Sequence, residues 1–596
     1  MIAGGRALIM PVVVLTMYRV MMTPCGAADL RGRAPVKKFP VSIDIKGKTF
    51  IDEWDRLELS PDGSSVLMVA MLQKERKDGF DYSRYVLVND RLYGPYAHAR
   101  GAFFGAHRFF VSYERGKSMY KRCVQNKCTV YPAFVCVSLI PPIGKLLEYD
   151  FVKRIADPPE QRGFLVDGGN IASSNPWFSQ SGFVANNDGS LYAFKYGEGY
   201  KRSIYFVRVN DTAYGPFNRA SKPALSRNGA TYAFSYSDEK RRSVRVNGTV
   251  HGPFEGHVPD EVSAPVVSAD GAHVGFAHGA GANNPYRFFV RVDANTYGPF
   301  SKVGEPGSHR KGPWLRFNDA GTVFAFLYRM SREDGSEMGG VRTADRDYGP
   351  YKHAVNLRVS PAGDTVAFRY AMRGDRDTER VMVNGASYGP FQPHAFGYFP
   401  HANAPVVSKN GKQFLLSFRE NDRDIVQMGA RRLGSFYRLT SVPVLSADGA
   451  RVAFAYKDEF HFVHADGRRY GPYLEAGDIV FGPRGAHLAF TYTAKSGQTY
   501  LRVNETEYGP FDYREQHVDR RSLLTVGFAP DDGRYCIRAV RFDPDPARPG
   551  MRLRNYYLHT KEAGYGPYQY AAYRFDERGR LIIAYLKDGF VHIEEI

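Results

Sequence analysis

The residues that could do chemistry are few, and their spacing does not assemble a reactive group. Beyond residue 28 the cysteines are Cys123, Cys128, Cys136 and Cys536. Cys123 and Cys128 lie in two strand-like runs that flank Gln125-Asn126. If that dipeptide is a hairpin loop, Val124 pairs with Lys127, and Cys123 faces Cys128 in the next, non-hydrogen-bonded site. Cα atoms there are about 4.5 to 5.5 Å apart, within disulfide reach. A Cys123–Cys128 bridge is therefore expected. The spacing is not the CxxC of a redox enzyme, and two thiols alone make a poor metal site. His394 and His401 share one loop-like segment but lack a third ligand, so no metal is expected there. Arg310, Lys311 and Trp314 join charge to an aromatic in a Gly/Pro-rich connector, a mixture enriched at interfaces. They are the first candidates for partner binding, with His394 and His401 second; a plain linker is the competing reading of the first group. The chain has no Gly-x-Ser-x-Gly elbow, no His-Glu-x-x-His, no phosphate loop and no calcium loop. No catalytic residue and no cofactor are expected. Which of the many acids line a channel is not legible, so a glycosidase-type carboxylate pair stays open at this point.

Such residues need a scaffold, and composition bounds it. The 596 residues are 43% hydrophobic and 24% charged, with 60 Gly, 36 Pro and 14% aromatics. These values are far from those of disordered, collagenous or coiled-coil chains, and the length calls for two units or a repeat array. Arg6, an apolar stretch over residues 7–18 and the small residues Gly26, Ala27 and Ala28 read as a signal peptide over residues 1–28. A second reading makes Cys25 a lipid-bearing residue. Residues 1–28 hold two Arg and no acid, which leaves a mature chain with 78 basic and 62 acidic residues, a net +16. Export to the periplasm or cell surface disfavours nucleic acid as a partner. It directs the positive charge toward a protein, an anionic glycan or lipid headgroups.

A repeat sets the architecture. An aromatic-Gly-Pro-aromatic motif begins at Tyr93, Tyr214, His251, Tyr297, Tyr348, Tyr388, Tyr470, Tyr508 and Tyr565, with a worn copy at Leu433-Gly434-Ser435-Phe436. From Tyr214 onward the copies stand 37 to 57 residues apart, the length of a four-stranded propeller blade. Four residues before the aromatic stands a turn residue such as Asn210, Asn247 or Asp466, after an alternating apolar run. Further upstream a Gly is followed five residues later by Phe, as in Gly229 and Phe234 or Gly449 and Phe454. Each unit thus reads strand, tight turn, buried strand, loop, strand, Asn turn, strand. Aromatics three apart on a straight strand face opposite ways. Those of the motif must therefore touch both neighbouring blades or fold together over a bend, and in either case they are packing residues.

Ser60-Pro61-Asp62-Gly63, the run from Leu445 through Asp448-Gly449 to Phe454 and the run from Val359 through Gly363 to Phe368 resemble the WD40-like repeat of TolB-type and dipeptidyl-peptidase-type β-propellers. The resemblance covers most of residues 57–596. It implies an all-β β-propeller, and relatives that are either periplasmic protein-binding modules or gates in front of a hydrolase domain. Neither the N-terminal α/β domain of the first nor the hydrolase of the second is expected from these residues. Units at 57–96, 103–134, 183–217, 224–254, 266–300, 315–351, 357–391, 406–436, 444–473, 479–511 and 526–568, with half a unit at the C-terminus, make 11 to 12 four-stranded repeats. Residues 41–50 resemble the missing half, so both termini are expected to share one blade. Twelve units point to two propellers, residues 29–300 (with an insertion at 135–182) and 315–596, joined by a linker at 301–314; one large ring is the alternative. The expected function is a monomeric, non-catalytic exported scaffold that binds protein or anionic glycan. A propeller-type polysaccharide hydrolase or lyase, or a structural envelope component, is the alternative.

Overall fold

The structure, a computed structural model, describes residues 37–40, 49–50 and 56–596 apart from 77–78, 106–107, 116–117, 125–126, 133–150, 157–160, 168, 174–178, 199–203, 239–240, 255–262, 281–286, 305–313, 376–377, 393–403, 512–523, 545–551 and 588–589. Residues 1–28, where a signal peptide is expected, with Cys25, and Arg310, Lys311, His394 and His401 lie outside these residues. All regular structure among the described residues is β-strand, arranged as twelve antiparallel blades and one additional three-stranded sheet. Numbered along the chain, the blades span 49–96, 98–115 with 161–173, 179–217, 219–254, 266–300, 302–351, 353–391, 406–436, 438–473, 475–511, 524–568, and 570–595 with 37–40.

Two turns position the strands of each blade. In the turn between first and second strands, a buried Ser accepts from the backbone N–H five residues on, as Ser60 does from Ser65 (2.9 Å) and Ser446 from Arg451 (2.9 Å). Asn186 and Asn318 fill the same slot with Oδ1. The Phe that follows is completely buried in six blades: Phe194, Phe234, Phe326, Phe368, Phe454 and Phe490. In the turn between third and fourth strands, Asn or Asp adopts a left-handed φ in eight blades, 48° at Asn210 and 50° at Asp466. Its side chain accepts from the first N–H of the second strand, Tyr192 to Asn210 at 3.0 Å and Val452 to Asp466 at 3.0 Å. Short polar side chains tolerate this φ and close the local hydrogen bond.

The Gly-Pro motif is a bend in the outermost strand. Phe217 pairs with Tyr205 and Tyr214 with Val207, so three steps along the motif match two steps along its partner. The additional residue is a bulge, and it brings both aromatics to one face. The Gly-Pro bond is cis in all nine copies. At Gly215, φ is +133°, and a Cβ would lie 2.9 Å from the Tyr205 carbonyl oxygen. Only glycine suits that position. Both aromatics meet the second strand of the next blade: Tyr214 lies 5.5 Å from Phe234 and Phe217 4.4 Å from Tyr236. In the worn copy Gly434 lacks the positive φ, yet Phe436 still packs on Tyr456 at 4.5 Å.

The blades follow one another in a single closed circuit. Apolar cores bridge blades 5 and 6 (Val290, Phe300, Leu315, Phe326), blades 6 and 7 (Val341, Tyr351, Leu357, Phe368) and, at the closure, blades 12 and 1 (Leu57, Leu59, Ile582, Ile583). First strands of consecutive blades touch, and their turns are hydrogen-bonded into a collar, Arg227 N–H to Ala269 O at 3.0 Å and Ala362 N–H to Lys409 O at 2.8 Å. First strands are therefore innermost. This circuit replaces the expected pair of rings. The supposed linker 301–314 contributes Lys302–Val303 to blade 6, and the core of blades 5 and 6 runs straight across it.

Two further boundaries differ from expectation. The unit expected at 103–134 is not a blade. Blade 2 takes Gln161–Val166 and Gly169–Ser173 as its outer strands, closed by Asp167, whose φ is 51° and whose Oδ1 accepts from Phe109 N–H at 2.9 Å. The insertion is then 116–160, not 135–182, and its sheet of Ser118–Val124, Lys127–Pro132 and Phe151–Ala156 lies against Gly79–Val88 of blade 1. The termini do share blade 12, as the outermost-strand pairing of Lys37–Pro40 with Phe590–Glu595 shows, but through residues 37–40. Thr49–Phe50, from the segment expected to close the ring, instead pairs with blade 1.

Candidate functional site: the inner strands of the ring

One face of the ring holds the tight turns, between strands one and two and between strands three and four, whose collar leaves little free backbone. The acids of the collar are held within it. Ser268 and Ser446 donate to Asp270 and Asp448 (both 2.5 Å), which holds both carboxyls below the usual range. Asp188 is lowered chiefly by the Ser190 N–H. Arg227 of blade 4 reaches over blade 5 to Asp319 of blade 6 at 3.4 Å.

The inner strands carry a different chemistry. Two residues before each turn, opposite the residue that precedes the core position, the ring reads Glu58, Ala102, Val184, Ala224, Val266, Arg316, Arg358, Val406, Val444, Val480, Gly527 and Arg574. That level has one carboxylate and three guanidiniums; Glu58 accepts from Phe103 N–H at 3.3 Å. Among the described residues the inner strands and their short links carry Arg56, Arg100, Arg219, Lys222, Lys302, Arg316, Arg358, Arg438 and Arg574 against Glu58, Glu475 and Asp478; Asp52, Glu53 and Asp55 lie outside the described residues. The Lys222 charge is felt by its neighbour: Lys195, donating to Ala220 O at 2.8 Å, is held below the usual lysine range first by burial and then by Lys222.

A second polar group lies at the opposite end of the inner strands of blades 6 and 7. Lys302 and Arg329 both bind Glu337 at 2.8 Å, and their hydrogen bonds lower its carboxyl. Glu379 pairs with Arg369 and lies 3.1 Å from His353 Nε2. Burial pulls Arg369 down to about 10. His353 is lowered by burial and then by the charges of Lys352, Arg369 and Arg329. Each acid is saturated by basic partners from strands of its own blade, an arrangement that ties those strands together rather than one poised to donate or accept a proton. Among the described residues no group of three His, Cys, Asp or Glu could hold a metal ion.

Trp314 is brought into the packing between blades 5 and 6, half-buried with its ring 6.4 Å from Phe326. Its ring packs against that core. The motif aromatics sit buried or half-buried between blades and are not gathered at one site; Tyr470 lies 5.5 Å from Phe490 and Tyr348 5.5 Å from Phe368. Arginines of the third strand cover several of them, Arg245 over Tyr214 at 4.9 Å and Arg502 over Tyr470 at 4.9 Å. The register pairs Cys123 with Cys128 across their hairpin, beside Val124 with Lys127. Sequence reasoning missed the inner-strand basic residues. The signal was available as charges a fixed two residues before the turns, in Leu315-Arg316-Phe317-Asn318 and Leu357-Arg358-Val359-Ser360.

The strand order and the closed circuit define a β-propeller of twelve blades. No protein-family model matches the chain, and no curated protein does. Among solved structures it is similar to the β-propeller domain of the trilobed protease from Pyrococcus furiosus, with 11% identity over 58% of this chain and 99% of that one and a TM-score of 0.22. It is also similar to TolB from Acinetobacter baumannii, with 13% identity over 61% of this chain and 76% of that one and a TM-score of 0.20. The acylaminoacyl peptidase of Pyrococcus horikoshii gives 11% identity over 64% of this chain and 58% of that one, with a TM-score of 0.23.

Proposed function

We propose that this protein is an exported, non-catalytic propeller scaffold that binds a protein or glycan partner in the periplasm or at the cell surface. The observation that carries the reading is the composition of the inner-strand level before the turns, where eight small or apolar residues stand with three Arg and a single acid, Glu58. Glycoside hydrolysis requires two carboxyl groups about 5 to 9.5 Å apart. Among the described residues the other inner-strand acids, Glu475 and Asp478, belong to blade 10, well separated along the ring from Glu58 in blade 1. Asp478 is engaged by the Thr491 hydroxyl at 3.1 Å. A wall of this kind suits recognition. Export rests on residues 1–28.

Affinity capture of the tagged protein from its native envelope tests the reading. A partner retained in fixed ratio through a sizing column, with the protein in the envelope fraction, is the expected result. A cytoplasmic protein, or turnover of envelope polysaccharide by the purified chain, would refute it.

A further inference from the structure

We infer that the inner strands of the ring are the binding surface for an acidic polysaccharide, one bearing a repeated carboxylate or sulfate. The inference rests on the exported-scaffold reading and names its ligand. At the level before the turns, where all twelve positions are described, three residues are Arg and one, Glu58, is acidic. Arg316 and Arg358 stand at the same level on adjacent inner strands, and no acid flanks them at that level; Val266 and Val406 do. Arg100, Lys222 and Arg574, all exposed, extend the basic surface to blades 2, 4 and 12.

The positive residues are distributed around the ring instead of converging on a point. One compact anion could meet two of them; a polymer with a charge on each residue can meet them all. Circuit size allows this. Twelve sheets packed about 10 Å apart make a circle of about 19 Å radius at mid-blade. Inner strands lie about 7 Å inside that circle, given the roughly 4.8 Å strand spacing. An opening on that scale admits an extended chain. Guanidinium groups match carboxylate and sulfate by paired hydrogen bonds, and like-signed lining residues attract polyanions in a salt-dependent way.

The test measures binding of the full mature protein to polygalacturonate, with neutral dextran, poly-L-glutamate and single-stranded DNA of similar length as comparison probes. Polygalacturonate is expected to bind best, more weakly as salt is raised, and dextran not at all. A variant combining Arg316→Gln, Arg358→Gln and Arg574→Gln should bind about tenfold more weakly or worse, at about half a kcal/mol per contact. One combining Arg332→Gln, Arg346→Gln and Arg468→Gln, exposed residues on turns or an outermost strand, away from the inner strands, should bind as the wild type does. If the first variant fails to fold by circular dichroism, Lys222→Gln with Arg574→Gln replaces it. Equal loss in both variant sets, or tighter binding of polyglutamate or DNA, would overturn the inference. So would a wild type that ignores polygalacturonate; if that protein still captures an envelope partner, the scaffold reading stands without it.

Discussion

The ring of Tyr473, which ends the motif of blade 9, lies 4.2 Å from that of Tyr492 in blade 10, 28° from parallel. The contact recurs as Tyr351 on Tyr370 at 4.2 Å and Phe391 on Phe418 at 3.9 Å. Offset aromatic pairs of this kind add to simple area burial. Tyr473→Ala should destabilise the protein by about 3 kcal/mol, whereas the adjacent exposed Leu474→Ala should stay within about 0.5 kcal/mol. Guanidinium unfolding monitored by circular dichroism makes the comparison, and equal midpoints would count against interblade stacking.

Gly215→Ala places a methyl 2.8 Å from the Phe206 ring at a φ of +133°. A loss of at least 1 to 3 kcal/mol is expected from backbone strain alone, about the cost of a disfavoured φ. Gly248→Ala, at a turn where a Cβ meets nothing within 4 Å, is the control and should be almost neutral. Melting temperatures of the two variants decide it.

Acid should weaken the fold before the carboxylates titrate. Burial, and then the charge of Arg541, pulls His559 from 6.5 to about 4. The unfolded chain therefore binds a proton that the native protein refuses. The stabilisation is complete above pH 6.5, declines as pH falls, and is gone below about 4, a total of about 3 kcal/mol. His464 shifts the same way, again mainly through burial. His559→Gln should flatten the fall in stability between pH 6.5 and 4, measured by urea unfolding at stepped pH. An unchanged slope would show that His559 is not the group responsible.

The pairing of Cys123 with Cys128 sets the two residues directly opposite each other. Peptide mapping of unreduced protein recovered from the exported fraction should give one cross-linked peptide 2 Da lighter than its reduced form, about the mass of two hydrogens. Finding both thiols free would end the proposal.

Much of the blade was legible because its information is local. The step from Gly229 to Phe234, the turn at Asn247 and the Gly-Pro bend each involve a few neighbouring residues, and each has its expected place. Blade 2 was misread because a motif-like cysteine hairpin lies nearer its second strand than the Asp167 turn that closes it.

What the chain announces in its order of residues is therefore the module: which faces are apolar, where each strand stops, and how the outer strand bends. How many modules share a ring, and which segment completes the last one, depended on contacts between residues hundreds of positions apart, such as Phe39 with Val591. The physical reason is that ring curvature accumulates from small rotations at every interblade interface. No short window records that sum, and no short window shows that Arg316 and Arg358 stand together on the inside.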